Sequence, residues 1–183
     1  MTKMHFADAN VSRRHADLLT VINTYRMLAT GLTVLVHGPI NLRDRIHIAP
    51  PIAVLCQREG PRKTCRKNDN QIYEGPPNLI CEFESERDAT DWNKQLALYE
   101  SCGVQEVIVW KWEVANPVWY QLQASSFVDV TPEDDRVVQS RALPGFLIDY
   151  AKLSKRDWRG MIEDVKDSVE NTDVFAALNS SYQ

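Results

Sequence analysis

The chain has 183 residues, of which 44% are hydrophobic, 25% charged and 9% aromatic; this composition is typical of one ordinary globular domain covering 1–183 and excludes a fibre, a disordered tail and a small disulfide scaffold. Apolar runs such as LTVLV at 32–36 are far shorter than the roughly 20 residues that span a bilayer, so we expect no membrane contact. The net charge of −4 argues against a protein that binds polyanions over its whole surface.

The N-terminal part of the chain predicts a helix preceded by no targeting signal. The sequence MTKMHFADANVSRRH lacks the apolar core of a secretory signal, and we therefore expect a cytoplasmic protein. Ser12 is a good N-cap, and helix-spaced apolar residues follow from Leu18 to Leu32, with Gly31 near the end. This pattern indicates a helix with one buried face.

Short β-like runs come next and are separated by turn residues. They are TVLV at 33–36, INL at 40–42, IHI at 46–48 and IAVLC at 52–56, with Gly38-Pro39 and Pro50-Pro51 between them. Consecutive strands joined by short turns usually pair with one another, so we expect an antiparallel meander.

A basic loop is predicted from about 57 to 77. Residues 41–70 carry seven bases and three acids, a net +4, whereas residues 71–150 carry five bases and fourteen acids, a net −9. Around Gly60-Pro61 the bases are Arg58, Arg62, Lys63, Arg66 and Lys67. Such a loop could bind the phosphates of a nucleic acid or could simply be a solvated surface, and the pattern alone leaves both possibilities open.

The middle of the chain predicts a strand, a helix and a buried strand. NLICEFES at 78–85 alternates between apolar and acidic residues, as in a strand with acids on one side. Residues 88–102 predict a helix with Trp92, Leu96 and Tyr99 along one stripe and Gly103 as its C-cap. VQEVIVWKW at 104–112 is apolar enough for a buried strand.

The C-terminal third predicts two strands and a helical extension. VWYQL at 118–122 and FVDV at 127–130 are strand-like, and an acidic turn follows at 133–135. From about 150 to 183 we expect a helical extension in which Ser154 and Asp157 cap a helix that docks on the sheet or on a partner chain through an apolar stripe of Trp158, Met161, Ile162 and Val165. The predicted fold class is therefore α+β, a mixed sheet flanked by helices.

Metal-binding and base-stacking patterns are weak. Cys56, Cys65, Cys81 and Cys102 form none of the close pairs of structural zinc, and the histidines show no i, i+4 pair, so we expect no zinc. We interpret Cys81 and Cys102 as core residues and Cys65 as an exposed loop thiol. The aromatic residues on the predicted strands favour core and cross-strand packing over a stacking platform for bases: Trp110, Trp112, Trp119 and Tyr120.

Glu82 is the residue that the local pattern singles out. It lies mid-strand between Cys81 and Phe83, where an ionised carboxylate is costly unless it is paired or bound to a metal. One interpretation is a ligand for a divalent metal. The other is an exposed acid that Glu84 and Glu86 continue as a solvated face.

Five motifs occur in an order that resembles a known family. They are VSRRHADLL, PPIAVLC, PNLICEFES, QLALYESCGVQEVIVW and SRALPGFLID, spread over about 140 residues. The chain resembles the Uma-two family of restriction-endonuclease-like proteins, in which similar segments read Pro-Asp before an apolar strand, PDLVVEVLS, K-x-x-x-Y-x-x-x-G-V-x-E-Y-W and S-x-x-L-P-G-L. The resemblance implies a PD-(D/E)XK nuclease fold.

The resemblance also implies hydrolysis of DNA phosphodiesters assisted by Mg²⁺. In that chemistry carboxylates hold the metal, and a lysine polarises the attacking water or the phosphate. The strand glutamate of the family falls on Glu82, its first acid on Pro51 and its lysine on Gln95, next to Lys94. The aspartate of PDL falls on Asn78, and Asp91 matches an acid that often precedes the lysine.

These departures set the candidate site and leave three functions open. The candidate catalytic residues are Glu82, Gln95 and Lys94; a helix turns about 100° per residue, so Lys94 could replace Gln95 only after a local shift. The candidate metal ligands are Glu82 and Asp44, with Glu59 or Asp69 as other replacement acids. The protein is expected to be a DNA-directed relative with weakened or lost cleavage, an active Mg²⁺-dependent endonuclease with a migrated acid, or a protein-interaction module that forms a homodimer.

Overall fold

The structure is a computed structural model that describes residues 9–43, 46–85, 90–132 and 136–174. Its helices are α1 (Ala9–Leu28), α2 (Trp92–Cys102), α3 (Tyr150–Lys155) and α4 (Trp158–Asn171). Its strands are β1 (Leu32–Val36), β2 (Ile40–Arg43), β3 (Ile46–Ile48), β4 (Ile52–Cys56), β5 (Arg66–Lys67), β6 (Tyr73–Glu74), β7 (Leu79–Phe83), β8 (Glu106–Trp110), β9 (Val118–Gln123), β10 (Ser126–Asp129), β11 (Val137–Gln139) and β12 (Leu147–Asp149). None of these helices is long and apolar enough to cross a membrane.

The larger sheet is mixed, as predicted. Its strand order is β1-β4-β7-β8-β9-β10, and β7 and β8 run parallel while the other neighbouring strands run antiparallel. Parallel neighbours need a crossover connection, and α2 supplies it between β7 and β8. The β7–α2–β8 unit therefore places one face of α2 over the sheet.

The predicted antiparallel meander is wrong, because the four strands are divided between two sheets. β1 pairs with β4, whereas β2 pairs with β3 and, in parallel, with β6, in a smaller sheet of order β3-β2-β6-β5. All five residues of β4 are buried, so this strand requires cover on both faces and lies inside the larger sheet. The predicted loop from 57 to 77 contributes β5 and β6 to the smaller sheet.

Both faces of the larger sheet are covered. On one face, Leu18 and Tyr25 of α1 and Met161 of α4 pack against alternate residues of β4 and β7. On the other, Tyr99 of α2 and Ile40 of β2 belong to a second core cluster. Strands that are buried on both faces are continuously apolar, which explains the sequences of β4 and β8.

Two helix starts differ from the predicted positions. α1 already includes Ala9, so Ser12 lies within the helix and not at its N-cap. α2 begins at Trp92, because the Asp91 side chain accepts a hydrogen bond from the backbone N–H of Lys94 and so caps the helix there. The predicted helical residues 88 and 89 and the acidic turn at 133–135 lie outside the described residues.

The C-terminal helices are present, and α4 docks on this chain itself. Asp157 caps α4, as predicted, by accepting a hydrogen bond from the N–H of Gly160 at 3.0 Å. Ser154, the other predicted cap, instead lies within α3, where its hydroxyl donates to the carbonyl of Ala151. Met161 and Val165 are buried, and α4 contacts α1, α3 and β12. The β11–β12 hairpin was not predicted; its strands have only three residues each, too few for a periodic signal.

Two side chains lie differently from their predicted positions. Cys65 was expected to be an exposed thiol, but it is fully buried and its Sγ donates to the carbonyl of Gly75 at 3.0 Å. Trp112 was expected to pack in the core, but it is 46% exposed because it follows the end of β8. Cys56 and Cys81 are buried, Cys102 is half-buried, and all four cysteines are free.

Candidate functional site

The carboxylate of Glu82 faces α2 near the end of β7. The hydroxyl of Tyr99 donates to Oε1 of Glu82 at 2.5 Å, and the side-chain amide of Gln95 donates to that hydroxyl. Two residues further on, just past the end of β7, Oε1 of Glu84 accepts a hydrogen bond from Nε1 of Trp92 at 2.8 Å. Residues 92, 95 and 99 share one helix face, so α2 presents a polar edge to both acids.

Burial controls the protonation of this pair. Glu82 is half-buried, and loss of solvent raises the pKa of its carboxyl, while the Tyr99 hydroxyl lowers it. Burial and the neighbouring carboxylate raise the pKa of Tyr99, so the phenol stays protonated and acts as a donor. The hydroxyl of Tyr99 therefore already uses part of the hydrogen-bonding capacity of the Glu82 carboxylate.

The structure brings Gln95 to the Tyr99 hydroxyl that bonds Glu82, and it directs Lys94 elsewhere. Nζ of Lys94 lies 3.0 Å from Oδ2 of Asp91, and its side chain is 87% exposed. The single-residue step along α2 accounts for this difference in direction. The position that resembles the family's lysine is thus occupied at the site by a neutral amide.

Pro51 immediately precedes β4, at the end of the β4–β7 ladder. The ladder ends where Ile52 pairs with Cys81, the residue before Glu82. This is where the resemblance places the first metal-binding acid. A proline side chain has no atom that can bind a cation.

Around Glu82 the described residues form no cluster of three metal-ligating side chains. Mg²⁺ is held by oxygen ligands, usually one or two carboxylates, in octahedral geometry. Within ranges 9–43, 46–85, 90–132 and 136–174, no group of three or more His, Cys, Asp or Glu side chains could hold a metal ion. Asp44 lies outside the described residues, Glu59 pairs with Lys63, and Asp69 is exposed between β5 and β6.

Three bases of the predicted basic loop form a surface on and before β5. We call Lys63, Arg66 and Lys67 the basic surface; with Gln57 and Glu59 they line an open cleft. Arg66 and Lys67 are exposed, and Nζ of Lys67 lies 5.3 Å from the centre of the Tyr73 ring. Arg58 is half-buried at the edge of this segment.

Arg62 is not part of that surface. It is only 6% exposed, and its Nη1 donates to the carbonyls of Arg141 at 2.5 Å and Ala142 at 3.2 Å. The expectation that Arg62 lies exposed among the other loop bases is therefore wrong. A guanidinium has five donors and can satisfy buried carbonyls from a distant segment, which a charge count cannot reveal.

The family is settled by comparison with known proteins. The model of the Uma2 family, described as "Putative restriction endonuclease", matches residues 1–151. The chain belongs to the Uma2 family. A crystal structure of a putative nuclease belonging to DUF820 from Anabaena variabilis is similar to this Uma2 chain, with a TM-score of 0.63 and 13% identity over 86% of each chain. At that identity the likeness concerns the fold, and it confirms the nuclease-type α+β architecture. No curated protein matches this sequence.

Asn78 has a structural role in this Uma2 protein. It stands where the family segment PDL has its aspartate, and it is fully buried. Its Oδ1 accepts from the N–H of Cys56 at 2.7 Å, and its Nδ2 donates to the carbonyl of Arg62 at 3.0 Å. An amide both accepts and donates, which suits this bridge better than a carboxylate does.

Glu106 is a buried acid that sequence reasoning missed. Its Oε1 accepts from the N–H groups of Arg141 at 2.7 Å and Ala142 at 3.0 Å, and its Oε2 accepts from the Ser140 hydroxyl at 2.7 Å. Burial raises its pKa to about 7, although these donors lower it. The sequence pattern that could have identified Glu106 is the one that singled out Glu82: an acid within an apolar strand. The carboxylate of Glu106 joins the GVQE motif of this Uma2 chain to its SRALPG motif.

Proposed function

We propose that this Uma2 protein is nuclease-derived and DNA-directed, and that its phosphodiester cleavage is weakened or lost. The observation that carries the proposal is the Glu82–Tyr99–Gln95 arrangement. It has a single carboxylate, already hydrogen-bonded by a tyrosine, and a neutral amide where the family resemblance puts a lysine.

The chemistry of metal-assisted hydrolysis supports the loss of cleavage. Carboxylates neutralise the metal, and a lysine stabilises the charge that develops on the phosphate in the transition state. Pro51, at the position that resembles the family's first acid, supplies no ligand. The Gln95 amide supplies a dipole but no net positive charge. The missing carboxylate weakens metal binding, and the missing lysine weakens stabilisation of the transition state.

The basic surface supports a role on DNA. Arg66 and Lys67 are exposed on the same short strand, and Lys63 lines the same cleft. Bases of this kind bind phosphates without regard to sequence and give affinity that falls with salt. The acidic remainder of the chain would confine DNA to this region. Cytoplasmic location stays a prediction.

The test is to incubate untagged protein with supercoiled and single-stranded DNA at low salt with Mg²⁺ or Mn²⁺, next to gel-shift lanes in EDTA. Salt-sensitive binding with little or no nicking is expected. Glu82→Gln removes the candidate ligand, and Glu84→Gln is its matched control, because Glu84 lies on the same strand face and is bonded to Trp92.

The outcomes separate the three functions. Metal-dependent nicking at the rate of an active nuclease, lost in Glu82→Gln and kept in Glu84→Gln, would overturn the loss of cleavage and indicate that an acid such as Asp44 completes the site. Absence of DNA binding at physiological salt would overturn the DNA-directed role and favour a protein-interaction module, for which sedimentation velocity would reveal a homodimer.

A further inference from the structure

Arg62 extends from the basic loop into the interior and ties that loop to a distant turn. Its guanidinium donates to the carbonyls of Arg141 and Ala142, 79 and 80 residues further along the chain. A buried guanidinium is costly unless its donors are satisfied, and these two carbonyls meet part of that requirement. The next residue, Lys63, belongs to the basic surface.

The turn that receives Arg62 is itself fixed. The carboxylate of Glu106 accepts three hydrogen bonds from Ser140, Arg141 and Ala142. The N–H of Leu143 donates to the Ser140 hydroxyl at 2.8 Å. Glu106 begins a central strand of the larger sheet, so the carbonyls that hold Arg62 have a rigid support.

The backbone around Arg62 is also held. The amide of Asn78 donates to the carbonyl of Arg62, and the Thr64 hydroxyl donates to the carbonyl of Pro76 at 2.6 Å. The N–H of Lys63 donates to the carbonyl of Gly60 at 3.1 Å. The segment that leads into β5 is therefore attached at Arg62 and Thr64 to the residues just before β7.

We propose that Arg62 is a positioning residue for DNA binding: it holds Lys63, Arg66 and Lys67 in place for phosphates without touching DNA itself. This inference rests on the proposed function, because it assigns how the basic surface is arranged. A pre-arranged surface binds more tightly, since ordering of side chains and loops opposes association.

The salt dependence of DNA affinity separates a positioning residue from a phosphate contact. Each phosphate contact contributes about −0.9 to the slope of log K against log[salt] on duplex DNA. Lys67→Gln should lower affinity and make the slope shallower by about 0.9. Arg62→Met keeps the aliphatic stem but removes the donors; it should lower affinity about tenfold with the slope unchanged.

Three further measurements exclude a merely global loss of stability. Affinities are measured well below the unfolding temperature of each variant. Arg62→Lys keeps a donor for the two carbonyls and should restore part of the affinity. Hydrogen exchange on the DNA-free protein should show faster exchange across residues 57–67 in Arg62→Met, with exchange in β9 and β10 unchanged.

If Arg62→Met does not fold, Ser140→Ala tests the same idea, because it loosens the supporting turn and leaves every base in place. It should lower affinity at an unchanged slope. The proposal is overturned if Arg62→Met makes the slope shallower by about 0.9 while exchange at 57–67 stays at the wild-type rate. Wild-type protein that fails to bind DNA overturns the proposed function; the exchange data would then show whether Arg62 orders the loop.

Discussion

At the scale of single residues, the hydrogen bond between Tyr99 and Glu82 explains how a half-buried acid is tolerated. Burial alone would favour the protonated carboxyl, and the tyrosine hydroxyl offsets part of this effect. Glu82 could be singled out from the sequence because an acid in an apolar strand needs a partner. The identity of that partner, seventeen residues away on α2, depends on the crossover geometry.

Tyr99→Phe removes the hydroxyl and leaves the ring. We expect a loss of about 1–2 kcal/mol in the free energy of unfolding at pH 7, because a buried acceptor loses its donor. Urea denaturation measures the loss. Tyr120→Phe is the control, since that residue lies on β9, two strands away from β7, and its ring packs against Phe127. Equal stability of wild type and Tyr99→Phe would contradict the importance of the bond.

Glu106 should make stability depend on pH. Its pKa is raised to about 7 in the folded protein, so the folded state retains this proton more strongly than the unfolded state does. The associated stability is fully present below about pH 4.5 and is lost as the pH rises through about 7, by on the order of 3 kcal/mol. Glu106→Gln should remove this dependence of the free energy of unfolding on pH, which denaturation experiments between pH 4.5 and 8 measure. A variant as pH-dependent as wild type would show that Glu106 is not the group responsible.

At the scale of elements, the β7–α2–β8 unit carries the candidate site. The spacing of apolar residues predicted β7, α2 and β8, because this spacing follows from the type of element and does not depend on which element packs against it. The pattern could not predict that β2 and β3 leave the larger sheet, since strand alternation does not encode which strands pair. The buried Arg62 was missed for the same reason: its partners are carbonyls, which every residue has.

The candidate site can also be tested by restoring the two side chains that the family resemblance implies. Pro51→Asp with Gln95→Lys places a carboxylate just before β4, which pairs with β7, and a positive charge on α2. We expect Mg²⁺-dependent nicking at least about 100-fold above wild type, since one electrostatic group typically contributes 10²–10³ in rate. Adding Glu82→Gln should abolish the gain. Nicking at the wild-type level by a folded double variant would mean that these two positions do not limit cleavage.

At the scale of the whole molecule, α4 completes the core although it lies beyond the residues matched by the family model, 1–151. Its apolar stripe predicted a docked helix, and the structure identifies α1 as a surface that receives it. The sequence left a partner chain as the alternative, because an amphipathic helix does not specify where its apolar face goes.

Met161→Ala should therefore destabilise the protein by about 2–5 kcal/mol, the range for truncating a large buried side chain. Thermal denaturation measures the effect. Ile162→Ala, on the neighbouring half-buried position, should cost clearly less. Equal stability of Met161→Ala and wild type would show that α4 is not part of the cooperative core.

The separation of the β7–α2 unit from the basic surface has a consequence for how such a protein would act on DNA. Glu82, Gln95 and Tyr99 belong to one stretch of fewer than twenty residues, while Lys63, Arg66 and Lys67 belong to another segment, on and before β5 of the smaller sheet. Substitutions in the first stretch would thus remove phosphodiester cleavage without weakening DNA binding by the basic surface. A protein of this kind would cover its site and shield the phosphates beneath it from other enzymes, leaving a protected footprint in place of a break.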